Sequence, residues 1–145
     1  MMRPSLIVAL AVIPLAACAS TPPSAARGPV LAGVDLSRPL AVLGTEPFWD
    51  VALSDDMRFT STEEPEQRAP RPRPERVGET VVFRSRVSDG RALVLTLSPE
   101  ECSDGMSDRT FPLAAVVQLG DAAFRGCAAT KSALERAGET GLVVD

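Results

Sequence analysis

The chain has 145 residues, with 15 lysines and arginines against 19 aspartates and glutamates, a formal charge of −4, and neither histidine nor tyrosine. That balance offers no basic face for nucleic acid. The missing histidine removes the usual base for a serine or cysteine nucleophile and the usual completing ligand of a zinc site. The length suits one domain and not two, and nothing in the composition calls for a metal or a cofactor.

In chain order, Met1, Met2 and Arg3 form a short basic start, and Leu6 to Ala17 is an almost wholly apolar run broken by Pro14. The run falls short of the roughly 20 residues a transmembrane helix needs. Basic lead, short apolar core and small exit residues describe a signal peptide over residues 1–17. Its exit, Leu15-Ala16-Ala17-Cys18, resembles the bacterial lipoprotein box. The resemblance implies cleavage before Cys18 and lipid on Cys18, with more than one acyl chain for stable anchorage. Ala19, rather than an aspartate, implies sorting to the outer membrane. The expected location is therefore the bacterial cell envelope, with the membrane as one partner and the domain facing the periplasm. Residues 18–38 open with "CASTPPSAARGP" and read as a flexible tether. Residues 39–145 read as a single β domain.

Within that domain, apolar residues alternate rather than following a helical period. FWDVALS at 48–54 puts Trp49, Val51 and Leu53 on one face, and MRFTST at 57–62 returns after Ser54-Asp55-Asp56. Residues 63–79, "EEPEQRAPRPRPERVGE", hold four prolines and read as a long exposed loop, partly polyproline II. TVVFRSRV at 80–87 and RALVLTLS at 91–98 flank Ser88-Asp89-Gly90, a tight-turn sequence. LAAVVQL at 113–119 turns at Gly120-Asp121 into 122–128, and 131–137 suits one or two helical turns. The expected fold is all-β: a small antiparallel barrel or sandwich of about six strands, with a short C-terminal helical turn.

Three cysteines are present. With Cys18 lipidated, Cys102 and Cys127 remain, and an oxidising envelope pairs them. The closed loop of about 26 residues is worth roughly 3.5 kcal/mol in the chain-entropy treatment.

The densest polar stretch is "ECSDGMSDR" at 101–109. Calcium is one possible use, but the aspartate spacing is not that of an EF-hand. Ser103 and Ser107 have no histidine as base. Asp104 and Asp108 form a carboxylate pair of the kind that cleaves glycans. As a corner, Asp104-Gly105 turns the chain and Cys102 staples it, leaving Asp104, Ser107, Asp108 and Arg109 as a rigid recognition surface. Glu46, Phe48 and Trp49 are the second candidate group. Trp49 serves either as a core anchor or, with Phe48, as the wall of a ligand pocket with Glu46 at its rim.

"LGTEPFW" at 43–49, "CSDGMSDRTFP" at 102–112 and "RGCA" at 125–128, in this order, resemble an uncharacterised family of bacterial envelope proteins, often lipoproteins. Its neighbours are META-domain and lysozyme-inhibitor-like modules. Phe111 stands where that family commonly has tyrosine, and residues 65–74 look like an insertion. The resemblance implies a compact β domain in the envelope and transfers no catalytic residues. The expected function is a lipid-anchored binding or structural module for an envelope protein, a glycan or a small ligand. The alternatives are a protein inhibitor of a cell-wall lytic enzyme and a carboxylate-based glycan hydrolase.

Overall fold

The fold comes from a computed structural model that describes residues 29–145. The signal-peptide run, Cys18 and the first part of the tether lie outside the described residues. The rest of the tether does not behave as one. Val30–Leu31 (β1) and Val34–Asp35 (β2) form a hairpin around Ala32-Gly33, both at positive φ. Leu31, Val34 and Leu36 are buried in the core. Apolar residues in VLAGVDL have somewhere to go, so the packed domain already includes residues 31–36 and does not begin at 39.

Nine strands form one sheet: Leu40–Thr45 (β3), Phe48–Leu53 (β4), Asp56–Ser61 (β5), Gln67–Pro70 (β6), Pro74–Val77 (β7), Thr80–Arg86 (β8), Ala92–Ser98 (β9), then, after the short Asp108–Thr110 strand (β10), Leu113–Leu119 (β11) and Ala122–Thr130 (β12). Their order is β6-β5-β4-β3-β12-β11-β9-β8-β7, with every neighbouring pair antiparallel. The sheet curls into a half-barrel. Its concave face is filled by alternating residues such as Val42, Val51, Phe59, Phe83, Leu95 and Val117, as the period of two requires.

Within this sheet, three strands exceed the expected six. β3 joins β4 to β12 and carries Leu40 and Val42 into the core. The other two lie inside the 63–79 segment, expected to be an exposed loop. Proline is compatible with both, because β6 and β7 are the two edges of the sheet. Pro70 is the last residue of β6, Pro74 the first of β7, and Pro72 lies between them. Edges and strand ends are where a missing N–H breaks no ladder. Ala69 is buried. β6 also comes against the C-terminal half of β8, where the Ser85 hydroxyl donates to the Pro70 carbonyl at 2.7 Å.

A second layer covers the convex face of β3 and β12. It comprises residues 102–111, the helix Lys131–Arg136 (α1) and Thr140–Leu142 (β13). Phe111, Ala133 and Val143 pack there on Cys127 and Ala129, flanked by Leu43 and Leu134. β10 and β13 run parallel, an exception to the antiparallel expectation. Thr130 caps α1 by accepting from the Ala133 N–H at 3.1 Å.

The pairings define two poles. The turns at 45–48, 62–66, 87–91 and 120–121 gather at one. Chain entry at Pro29 and the 54–55 turn lie at the other, tied together by Arg71. Its guanidinium donates to the carbonyls of Leu36, Ser37, Arg38, Leu53 and Ser54 at 2.6–3.3 Å. Burial lowers its pKa, partly offset by Asp55.

Candidate functional site

The three motif stretches meet at the first pole. Alternation along β4 sends Trp49 inward and Phe48 outward. Trp49 is 4% exposed and packs near Phe59 and Phe124, with ring centroids 6.4 and 5.9 Å away. It anchors the core, and its edge also reaches the lining of a hollow beside Phe48. Its indole N–H is buried without a partner among the described residues. The ring edge lies over two glycines. A Cβ at Gly44 would run into Trp49 Nε1, and one at Gly126 would meet Trp49 Cζ2 and the Leu43 carbonyl. "LGTEPFW" and "RGCA" thus supply a tryptophan and the two gaps that seat it.

The 102–109 loop is built as a rigid corner. Cys102 and Cys127 form a disulfide, with Cα atoms 5.5 Å apart. Cys102 and Phe111 exchange both backbone hydrogen bonds at 3.0 and 2.8 Å. Asp104 Oδ1 accepts from the Met106 and Ser107 N–H groups at 2.9 and 2.8 Å, and Oδ2 accepts from the Ser107 hydroxyl at 2.7 Å. Partial burial works against the Asp104 charge. The Ser107 and Met106 hydrogen bonds, with the Arg109 charge, outweigh it and hold the carboxyl below its ordinary value of 3.8. Gly105, at φ +74, completes the turn. The Thr45 hydroxyl donates to the Asp104 carbonyl at 2.8 Å, locking the loop to β3. Arg109 Nε donates to the Gly138 carbonyl at 2.7 Å, and its terminal nitrogen lies 3.5 Å from Glu139.

Of the sequence candidates, Asp104 and Ser107 therefore act first on their own loop, and Arg109 ties that loop to Gly138 and Glu139. An Asp104 whose oxygens are occupied this way is poorly placed as half of an acid–base pair. Asp108 is exposed and Glu46 stands at the β3–β4 turn, where the Glu46–Pro47 peptide is cis. Among the described residues, no group of three acidic or cysteine side chains gathers to hold a metal.

What remains accessible is a pair of open hollows on either side of the Thr45–Asp104 contact. One, of about 620 Å³, lies where the second layer stops short of the convex face of β4 and β5; Asp50, Thr60, Arg109 and Glu139 line it. The other, of about 730 Å³, is lined by Glu46, Cys102, Ser103, Gly105 and Arg125. Phe48 and Met106 border both. They are 54% and 69% exposed. Burial raises the Asp50 pKa, opposed by the charge of Arg58 and reinforced by that of Glu66.

Sequence reasoning missed Met106, Asp50 and Arg125 as site residues. Met106 and Arg125 sit inside the quoted motifs, and their outward placement beside an apolar neighbour is the signal that was available. Compared with known proteins, the chain matches no family model, no curated sequence and no solved structure.

Proposed function

We propose that this protein is a lipid-anchored bacterial envelope protein that acts as a binding module, taking its partner at the pole that carries Phe48 and Met106. One observation carries the reading: two large apolar side chains stand exposed between two hollows, on a frame held by a disulfide, the Asp104 turn and the Thr45 contact. Apolar tips on a rigid polar rim are the anatomy of a surface that a partner covers. The anchor rests on the signal-peptide pattern of residues 1–17, with its apolar run from Leu6 to Ala17, and on Cys18. Chain entry at Pro29 lies at the opposite pole, so an anchor upstream would leave the hollows directed away from the membrane.

The test is cross-linking of the full-length chain in cells. Phe48→Asp combined with Met106→Asp should keep the melting temperature of the parent and lose its cross-linked envelope partner. Undiminished cross-linking in that folded variant rules the site out. Cys18→Ser should move the protein from the membrane to the soluble fraction. A stapled loop whose tip is Met106 also supports the inhibitor reading, in which the tip would enter the cleft of a lytic enzyme. Unchanged muralytic activity at micromolar protein would remove that reading.

A further inference from the structure

We infer that the two hollows form one track for an extended peptide segment, with an anionic group of the peptide at Arg125, an apolar side chain over Phe48 and Met106, and a cationic group at Asp50. The inference rests on the binding-module reading and names the ligand class.

The hollows share Thr45, Phe48, Asp104 and Met106, so they meet across one saddle. Their volumes fall in the range of ligand sites. One end holds Arg125 together with the exposed Glu46; the other holds Asp50 and Glu139 together with Arg109, whose guanidinium is already engaged by Gly138 and Glu139. Arg125 lies two residues from Cys127 on the outward side of β12, and it is exposed. Among the described residues, the other arginines and the lysine have ion pairs or hydrogen bonds, apart from Arg73 in the segment between β6 and β7. A guanidinium without a partner beside a hollow is a ready seat for a carboxylate.

At the other end, the Asp50 side chain has no hydrogen-bond partner among the described residues, and Arg58, whose charge acts on it, lies 4.0 Å from Glu66. Partial burial already disfavours the Asp50 charge, so an incoming ammonium would relieve it. Glu139, 89% exposed, adds a second carboxylate on that side. A neutral glycan would leave both ends unanswered. A peptide with both charges around an apolar residue matches the track from end to end.

The experiment probes the full-length chain with an array of short end-blocked peptides, each with a central leucine flanked by every pairing of lysine, aspartate and alanine. Retention should be strongest where one flank is lysine and the other aspartate, and replacing either by alanine should weaken it about tenfold. Arg125→Glu should switch the preferred residue at that flank from aspartate to lysine, a reversal that mere loosening of the fold would not produce. Repeating the array with a free C-terminal carboxylate in place of aspartate separates a chain end from an internal acidic residue. Retention without charge preference, or an unaltered preference in Arg125→Glu, overturns the inference. If no peptide binds while Phe48→Asp with Met106→Asp still abolishes partner capture in cells, the ligand class is wrong and the binding pole stands. If that double variant keeps its partner, both readings fall.

Discussion

A single methyl group separates two outcomes at Gly126. Its Cβ would fall on the Leu43 carbonyl, 2.7 Å from the Leu43 carbonyl carbon and 2.8 Å from Trp49 Cζ2. Leu43 is fixed in the β3 ladder, so the backbone of two paired strands would have to part. At Gly44 the first obstacle is the Trp49 ring, a side chain rather than backbone, although the Arg125 carbonyl is also 2.8 Å away. Overpacking of a filled core costs about 1–3 kcal/mol, more where backbone is the obstacle. Gly126→Ala should therefore cost upwards of about 3 kcal/mol and Gly44→Ala about 1–3 kcal/mol, with a red shift of the tryptophan emission in the second. Denaturant melts of the two variants decide it; equal midpoints would contradict this seating of Trp49. Asp104 shows the same economy in polar form, since one carboxylate satisfies two N–H groups and a hydroxyl that the tight loop would otherwise leave without partners.

Between elements, two ties hold what the sheet ladder does not. Arg71 is the tie for the proline-rich edge. Its five carbonyl partners join the entry segment at 36–38 to the β4–β5 turn. Arg71→Met keeps the length of the side chain and removes the donors, and hydrogen bonds from a charged group are worth about 1.5–3 kcal/mol. Hydrogen exchange should accelerate in β6, in β7 and at residues 36–38 before it does in β9 or β11. Uniform protection would show that the segment holds by other means. The disulfide ties the second layer to β12. Cys102→Ser with Cys127→Ser opens a span with a sequence separation of 25, a loss of roughly 3.5 kcal/mol in the entropic treatment. A thermal melt unchanged by that replacement would show that Phe111 packing alone suffices.

These ties also mark what the sequence could express. The β8–β9 hairpin was legible because Ser88-Asp89-Gly90 separates two alternating runs of large residues, and β4 because Trp49, Val51 and Leu53 alternate. LAVLGT of β3 lacks that contrast, with Ala41 and Gly44 too small to mark a face. Prolines hid β6 and β7, since proline excludes a central strand and says nothing against an edge. The second layer was invisible because Cys127 and Ala129 face outward and are nonetheless buried, by segments distant in the chain. Stapling of the 102–109 loop was legible from cysteine arithmetic. The placing of Phe48 and Met106 around the same hollows was not, because it depends on the β3–β4 turn lying beside that loop.

Across the whole molecule, depressed carboxyls sit at both poles and make folding sensitive to acid. Asp104 holds the binding loop and Asp89 the 87–91 turn. Asp145 closes the entry pole, where its side chain accepts from the Thr130 hydroxyl at 2.8 Å and lies 2.8 Å from Arg38 and 3.2 Å from Arg136. Burial acts to raise the Asp145 pKa and is outweighed by Thr130, Ser132, Arg38 and Arg136; hydrogen bonds from Arg91 lower that of Asp89. A carboxyl with a folded pKa below its unfolded value contributes stability that is present above the unfolded value and is lost as pH falls through the folded one. Asp50 has the opposite sign. Its folded pKa is raised, so its contribution is present below its unfolded value and is lost as pH rises through the folded one. Among the described residues, three depressed carboxyls oppose one raised carboxyl, so the denaturant midpoint should hold near neutrality and decline as pH falls below about 4. Asp145→Asn should lower the neutral midpoint and flatten the acid decline, because that variant has no proton to take up there. Asp50→Asn should raise the neutral midpoint and steepen the decline. Midpoints of the parent and both variants, measured from neutral pH through the carboxylate range, test the assignment. An acid decline in Asp145→Asn as steep as that of the parent would place the sensitivity elsewhere, and a neutral Asp50→Asn midpoint below the parent's would reverse the sign given to Asp50.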